Sequence, residues 1–527
     1  MNEIDPRDQR QIRIAKLEKL RETGIDPYPS RIAEGRVTIE FVLHEWEQLK
    51  QITDESGQVI RAGSVVHLAG RITALRIHGK SMFIGIADGT GSFQLYLRMN
   101  TLLEHNPEDT DNYIRAKDLD LGDFISATGE LFTTRTGEPT LAAQKWELAA
   151  KTLLQLPEKY HGLTDPDLRL RQRYLDLLSN PEVKYNLQKR ALIIKTIRTY
   201  LEEEGYIELE TPTLTSLYGG AAARPFTTHH NALDIDLYLR IATELYLKRL
   251  IVGGFERIFE MGKVFRNEGI DRNHNPEFTL LELYEAFADY NRMMQIAEGL
   301  VVASAVEVAK FGEKNKENYI RTLADGTVVI ERENAIITFN RPFERISFVD
   351  SIIELTSIDV LNAEKTELIE FFKSHDIDFD PKTPFWPLVD KLFSETVEPK
   401  LIKPTFVLDY PVGLSPLAKR KADAPELTER FELFIGGVEI ANAFSELNDP
   451  LDQRGRMEAQ LLQRAEGDEE APNQIDEDFL TALEHGMPPT GGMGIGIGRL
   501  VTLLSGAHSL KEVIPFPLLK PKSIEHA

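Results

Sequence analysis

Residues 265–279 read FRNEGIDRNHNPEFT, a turn that sets Arg266, Glu268 and His274 between two apolar segments. A polar turn is by default solvated filler, but its flanks argue otherwise. Arg257 to Phe265 is short, bulky and partly alternating, which predicts a strand. In Glu277 to Ala286 the residues Phe278, Leu280, Glu282, Tyr284 and Ala286 recur at every second position and so share one strand face. A face carrying Phe, Glu and Tyr beside a charged turn predicts a lined pocket. Two further segments draw notice. Residues 492–500, GMGIGIGRL, form a glycine-rich strand that delivers Arg499 to a helix start, although such a strand taken alone is a packing device. Residues 205–212, GYIELETP, end a helix and enter a strand at a proline.

The elements that must position these groups fall into blocks. Residues 186–522 interleave helices and strands with no strict βαβ rhythm and no GxxxxGK[ST] phosphate loop, so a nucleotide-using enzyme here needs a different site. Within that block, residues 311–338 turn from polar to β-like and predict an inserted hairpin. Ahead of it, over 61–153, VVHLAGRI, SMFIGIA, SFQLYLR and FISATGELF predict a small barrel of about five strands, for which the OB-fold is the commonest nucleic-acid-binding form. A purely structural barrel fits that pattern equally. Residues 1–60 predict a helical extension with Ile12, Ile14, Leu17 and Leu20 on one face, followed by a polar connection, and 154–185 a polar helical linker. The expected fold class is α+β with a separate all-β domain.

At 527 residues the chain exceeds what one core supports, and two or three domains are expected. The absence of cysteine rules out disulfides, thiolate nucleophiles and Cys-ligated zinc, and fits a reducing compartment. The N-terminal MNEIDPRDQRQIRIAKLEKL has no apolar centre, and no run approaches the ~18 apolar residues of a membrane span. A cytoplasmic protein without a membrane partner is the expectation. A net charge of −23 and a pI near 5.1 argue against a basic surface that coats nucleic acid, while leaving room for a local patch. The acidic residues 466–478, EGDEEAPNQIDED, predict a solvated loop.

In chain order, GYIELETP, FRNEG…RNHNPEF and GMGIGIGRL resemble the three motifs of class II aminoacyl-tRNA synthetases. The intervening GGAAARPFTTHHNALDIDLYLRIATELYLKRLIVGGFERIFE, DYPVGLSPLAK and FELFIGGVEIANAFSELNDP resemble the lysyl-tRNA synthetase family of that class. The likeness runs from about residue 10 to 520. It implies an OB-fold anticodon-binding barrel, a catalytic domain on an antiparallel sheet flanked by helices, and a homodimer formed through the first motif. The implied reaction joins L-lysine to ATP as lysyl-adenylate, with release of pyrophosphate, and then transfers lysine to the 3′ end of tRNA(Lys).

The resemblance also implies residue roles. Arg266 bridges the substrate carboxylate and the α-phosphate, for which its planar fork suits it. Glu268, His274, Phe278, Glu439 and Arg499 belong to the ATP site, with Phe278 on the adenine and Arg499 across the nucleotide. Glu432 and Glu439 hold magnesium, the implied cofactor. Glu244 and Gly220 meet the α-ammonium of lysine, Glu446, Tyr284 and Phe444 the ε-ammonium, with Glu282 on the face of Tyr284, and Arg266 and Asn442 the carboxylate. Phe83, Gln94 and Glu138 read anticodon bases, the alternative for Phe83 being a place in the barrel core. Glu439 is out of phase with Asn442, Phe444 and Glu446, which calls for a bulge near Gly436-Gly437-Val438 or at 440–441. Most members of the family carry an acidic residue before the third-motif arginine, where this chain has Gly498.

Lysine presents two ammonium groups, and burying either without an acidic partner is costly. An aspartyl or asparaginyl pocket would instead need cationic or amide groups where Glu446 stands. Two other readings are a non-catalytic tRNA-binding paralogue, which would be expected to lose motif residues, and a protein-lysylating relative, which would lack the barrel. Arg266, Glu268, Glu432, Glu439 and the barrel pattern are all present.

Overall fold

The computed structural model describes residues 8–54, 56, 58–157, 163–332, 335–465 and 474–521, in two compact units divided between residues 162 and 163. That division falls inside the segment expected as a linker.

In the first unit, helix α1 (Gln9–Glu22) is capped by Asp8, which accepts from the backbone N–H groups of Arg10 and Gln11. Leu17 and Leu20 are buried as the spacing predicts, but Ile12 and Ile14 are only half-buried. The residue buried beside them is Arg13, whose guanidinium donates to the carbonyls of Leu121, Thr152 and Leu154. The expected polar connection contains a further short helix, α2 (Ile39–His44), capped by Thr38; it sends Ile39 and Val42 into the core of the unit. Strands β1 (Val65–His78), β2 (Ser81–Ala87), β3 (Ser92–Arg98), β4 (Phe124–Thr133) and β5 (Pro139–Ala150) close a barrel in the order β1-β2-β3-β5-β4. Alternation drives closure: Met82, Ile84 and Ile86 of β2 and Phe93, Leu95 and Leu97 of β3 point into one core, and their neighbours point out.

In the second unit, residues 163–185 are not a free linker. They form the helices Pro166–Arg171 and Arg173–Ser179, and the buried Arg173 pairs with Asp176 at 2.7 Å while donating to the carbonyls of Lys511, Ile514 and Pro515. Helix α3 (Pro181–Glu203) ends at Gly205, whose φ of +84° suits glycine, and leads into the two-residue strand β6 (Ile207–Glu208). Further on come α4 (Glu244–Val252), β7 (Arg257–Phe265), β8 (Glu277–Ala286), α5 (Tyr290–Asn315), β9 (Glu344–Ser347), α6 (Phe385–Thr396), β10 (Thr405–Leu408), β11 (Arg430–Phe434), β12 (Glu439–Ser445), β13 (Thr490–Gly496) and α7 (Ile497–Ser505).

The eight strands form one sheet in the order β9-β10-β11-β12-β13-β8-β7-β6, antiparallel except at the two outer joints, β9–β10 and β7–β6, which are parallel. The strand pattern of β8 sorts its two faces. Leu281 and Leu283 join Ile193, Ile197 and Leu201 of α3 and Met293 and Ile296 of α5 in the main core, and the alternate residues face the cavity described below. The expected hairpin at 311–338 differs in form: 311–315 continue α5, and Ile320–Thr322, Val328–Arg332 and Ala335–Thr338 make a three-stranded antiparallel sheet. Ile320, Val328, Ile330 and Ile337 are part of the main core, so this is packed structure rather than an appended flap. Its residues 333–334, and residues 466–473 of the acidic stretch, lie outside the described residues.

Candidate active site

A cavity of about 770 Å³ opens on the sheet face that carries Glu282 and Tyr284, opposite Leu281 and Leu283. Two rungs of paired residues cross it: Glu432–Asn442–Gly494–Glu282 and Arg430–Phe444–Gly492–Tyr284. The glycines of β13 form the floor between them. A Cβ on Gly492 would stand 1.9 Å from Glu446 Oε1 and 2.6 Å from Tyr284 Cε1, so glycine is what lets these two side chains converge. The glycine-rich strand is thus both a packing device and the base of a binding site.

At one end, three carboxylates meet. Glu244 opens α4, Glu282 lies on β8 and Glu446 follows β12; all three are buried and line the cavity. Glu282 accepts from the N–H and hydroxyl of Thr243 at 3.2 and 2.6 Å, yet burial and the nearby Glu244 push it up to about 7. Burial likewise pushes Glu446 up to about 8, against the pull of Lys248. Glu446 Oε1 has no hydrogen-bond partner. Tyr284 is buried beside them, its phenol held protonated first by burial and then by the three carboxylates. Gly220, at φ +84°, brings its backbone against Glu244; a Cβ there would lie 3.1 Å from that of Glu244.

Arg266 follows β7, and Asn442 sits mid-cavity. The guanidinium of Arg266 lies 5.2 Å over the ring of Phe278, and its buried Nε lacks a partner. Glu268 and His274 are exposed at the rim. His274 Nδ1 meets Asp271 at 2.8 Å, and its Nε2 lies 3.2 Å from Nη2 of Arg499. Arg499, the third residue of α7, donates to the Glu439 carboxylate at 2.7 Å and to the Glu439 carbonyl at 3.1 Å. Those bonds orient it without an acidic neighbour in sequence. At 498 a side chain would meet Leu510 Cδ2 at 2.8 Å.

The phase problem of Glu439 is resolved by a bulge: Phe434 pairs with Glu439 and Leu433 with Ala441, leaving Ile440 as the extra residue. The slip returns Glu439 to the face of Asn442 and Phe444, and all three line the cavity. Glu432 accepts from Arg430 at 2.5 Å, Asn442 at 3.2 Å and Tyr410 at 2.8 Å. Burial nevertheless pushes Glu432 up to about 7, Arg430 opposing and Glu439 adding to the shift; burial, Asp390 and Glu439 do the same to Glu398. Carboxylates crowded this way suit a hard cation, and two of them with phosphate and water oxygens match magnesium chemistry. Among the described residues no three His, Asp or Glu side chains form a ready cation cluster.

The structure brings together every residue expected at the lysine and ATP ends. It adds four that the sequence reading missed: Lys248, Asp390, Arg430 and Arg190. Arg190, from α3, lines the cavity and donates to Thr279 at 2.9 Å, its buried Nη1 lacking a partner. Of the four, Lys248 had a signal, standing four residues after Glu244 in a helical pattern. The others depend on which strands and helices become neighbours.

On the barrel, Phe83 lies on the outward face of β2, half-buried, while Met82 and Ile84 on either side are in the core. It is therefore not a core residue. Its ring meets Tyr96 at 4.7 Å, and Tyr96 meets Phe132 at 6.1 Å, giving an aromatic strip across three strands. Gln94 is on β3 and donates to Thr140 Oγ1 at 2.9 Å; Glu138 is exposed in the turn before β5, next to Gly137 at φ +87°.

Residues 66–149 match the OB-fold nucleic acid binding domain, and residues 165–520 match the tRNA synthetases class II (D, K and N). Three bacterial proteins named lysine--tRNA ligase are similar over nearly their whole length. That of Pelotomaculum thermopropionicum is 48% identical over 525 residues, covering 99% of this chain and 96% of the relative. The Thermoanaerobacter pseudethanolicus protein is 49% identical (97% and 96% covered), and the Carboxydothermus hydrogenoformans protein 47% (97% and 98%). With its barrel, its glycine-floored cavity and these matches, the chain belongs to the class II tRNA synthetases of the D, K and N group.

Proposed function

We propose that the chain is a lysine--tRNA ligase, and that the buried trio Glu244, Glu282 and Glu446 selects the amino acid. This is the observation that carries the reading. A buried, carboxylate-lined end repels aspartate and leaves asparagine's amide facing charges it cannot balance, whereas it pairs both ammonium groups of lysine. Glu244 and the backbone at Gly220 take the α-ammonium; Glu446 and Tyr284, walled by Phe444, take the ε-ammonium.

With lysine so held, its carboxylate reaches Arg266 and Asn442. Joining it to the ATP α-phosphate brings two anions together, and Arg266 offsets both charges while fixing their approach. Phe278 offers a face to the adenine, Glu268 and His274 border the nucleotide, and Arg499 covers its far side. Glu432 and Glu439 would hold magnesium, which supplies charge neutralisation of the polyphosphate. Transfer of lysine to tRNA(Lys) then follows, with the barrel reading the anticodon by stacking on Phe83 and by polar contacts from Gln94 and Glu138. We also assign a homodimer joined through the segment around β6.

The test is pyrophosphate exchange driven by each of the twenty amino acids. Lysine alone is expected to support it. Exchange driven by aspartate or asparagine would overturn the assignment.

A further inference from the structure

Behind the carboxylate wall lies a cation that no substrate supplies. Lys248 sits on α4 one turn after Glu244, its side chain fully buried. Its Nζ contacts Glu244 Oε1 at 2.5 Å and also Glu446 Oε2. The ring of Phe444 lies 5.7 Å from the same ammonium. Burial works against this charge, but Glu244 and Glu446 outweigh it and hold the group above the ordinary lysine range, so it stays protonated.

We infer that Lys248 is a specificity-determining positioning residue, a resident ammonium that fixes the pocket's charge so that two further ammonium groups complete it. The inference rests on the lysine reading of the site. Fully ionised, as incoming ammonium groups require, Glu244, Glu282 and Glu446 carry three negative charges, and Lys248 cancels one. What remains matches the two ammonium groups of lysine, while Arg266 is left for the carboxylate. Lys248 acts through Glu446. It ties Oε2 from behind, leaving Oε1 unpartnered beside Tyr284, and its charge favours the ionised form that an incoming ammonium requires. The charged or titratable groups facing Glu446 are Lys248 and Glu244 from α4 and Glu282 and Tyr284 from β8, so Lys248 is the cation in that set.

Without Lys248, Glu446 takes up a proton more readily and presents a neutral acid. Lysine-dependent pyrophosphate exchange by Lys248→Gln and Lys248→Met is compared with wild type across pH 6–9, using L-lysine and L-norleucine, which lacks the ε-ammonium. At pH 7 the kcat/KM for lysine is expected to fall at least about tenfold, and the acidic limb of the profile to move up by about one pH unit or more. The lysine-to-norleucine preference is expected to fall as well. A merely structural lysine would lower activity without moving either the limb or the preference, and that result in folded variants overturns the inference.

Should both variants fail to fold, calorimetry of lysine binding to the wild-type protein in buffers of differing ionisation heat decides. Glu446 at about 8 and Glu282 at about 7 hold protons at pH 7 that the substrate's charges displace, so release of about one proton is expected. Release no greater than that on norleucine binding would show that the ε-ammonium is not met by an ionised Glu446, contrary to the charge balance on which the inference rests. Failure of wild-type enzyme to use lysine at all would instead sink the reading beneath it.

Discussion

Glu446→Gln is the sharpest test of the amino-acid pocket. The carboxylate is 1% exposed, shares Lys248 with Glu244, and has Oε1 unpartnered beside Tyr284. The substitution keeps shape and volume and removes one charge. A hydrogen bond to a charged group contributes about 1.5–3 kcal/mol, so lysine activation should drop by about ten- to a hundredfold, tenfold being ~1.4 kcal/mol. The loss should lie mainly in lysine KM, because the proposed partner of Glu446 is the ε-ammonium, remote from the reacting carboxylate. Arg266, Arg499 and Glu439 are untouched, so the KM for ATP should stay within about twofold of wild type. The assay is lysine-dependent pyrophosphate exchange with both substrates varied, alongside thermal unfolding to confirm that Lys248 still tolerates burial with Glu244 alone. A folded variant that activates lysine with unchanged KM would refute the reasoning.

Gly492→Ala places a methyl where Glu446 and Tyr284 converge, and should abolish most lysine activation while costing about 1–3 kcal/mol of stability through overpacking; retention of full exchange would show that the floor is not tight. Phe83→Ala should weaken anticodon-dependent charging by about 1–3 kcal/mol with exchange unaffected, and charging kinetics on anticodon variants of tRNA check it. Glu282 and Glu446 are raised from 4.5 to about 7 and about 8, so the folded chain binds more protons than the unfolded one between those limits. Their contribution to the stability of the free protein should therefore be full below about pH 4.5 and be lost as pH rises through about 8, with saturating lysine flattening the slope; unfolding temperatures across pH measure it. Ile207, Leu214, Leu233 and Ile235 expose apolar surface, and sedimentation should give a species of about 120 kDa; a lone 59.7 kDa species would contradict the dimer.

Short-range pattern made much of this site legible. The period of two in β8 separates Leu281 and Leu283 from Glu282 and Tyr284, because a strand has only two faces and one of them meets helices. The structure puts Phe83 on the face opposite Met82 and Ile84, a choice that the sequence reading left open. Periodicity failed in α1. It marked Ile12 and Ile14 as buried, but a long arginine with three carbonyl partners fills that interface instead, and those carbonyls come from residues more than a hundred positions away.

The same limit separates what could be read at Glu439 from what could not. Its phase against Asn442 showed that a bulge was required. Its position was decided by β11, whose Leu433 and Phe434 pair around Ile440 so that the carboxylate returns to the cavity. The bulge also directs Glu439 to Arg499, so the arginine is held by that carboxylate and carbonyl although glycine precedes it in sequence. Glycine at 498 is compatible with this because the bond that fixes the arginine is made across the sheet, and the packing of Leu510 against that position favours keeping it small. At this motif the arginine's carboxylate partner thus comes from sixty residues away, which only the assembled strands reveal.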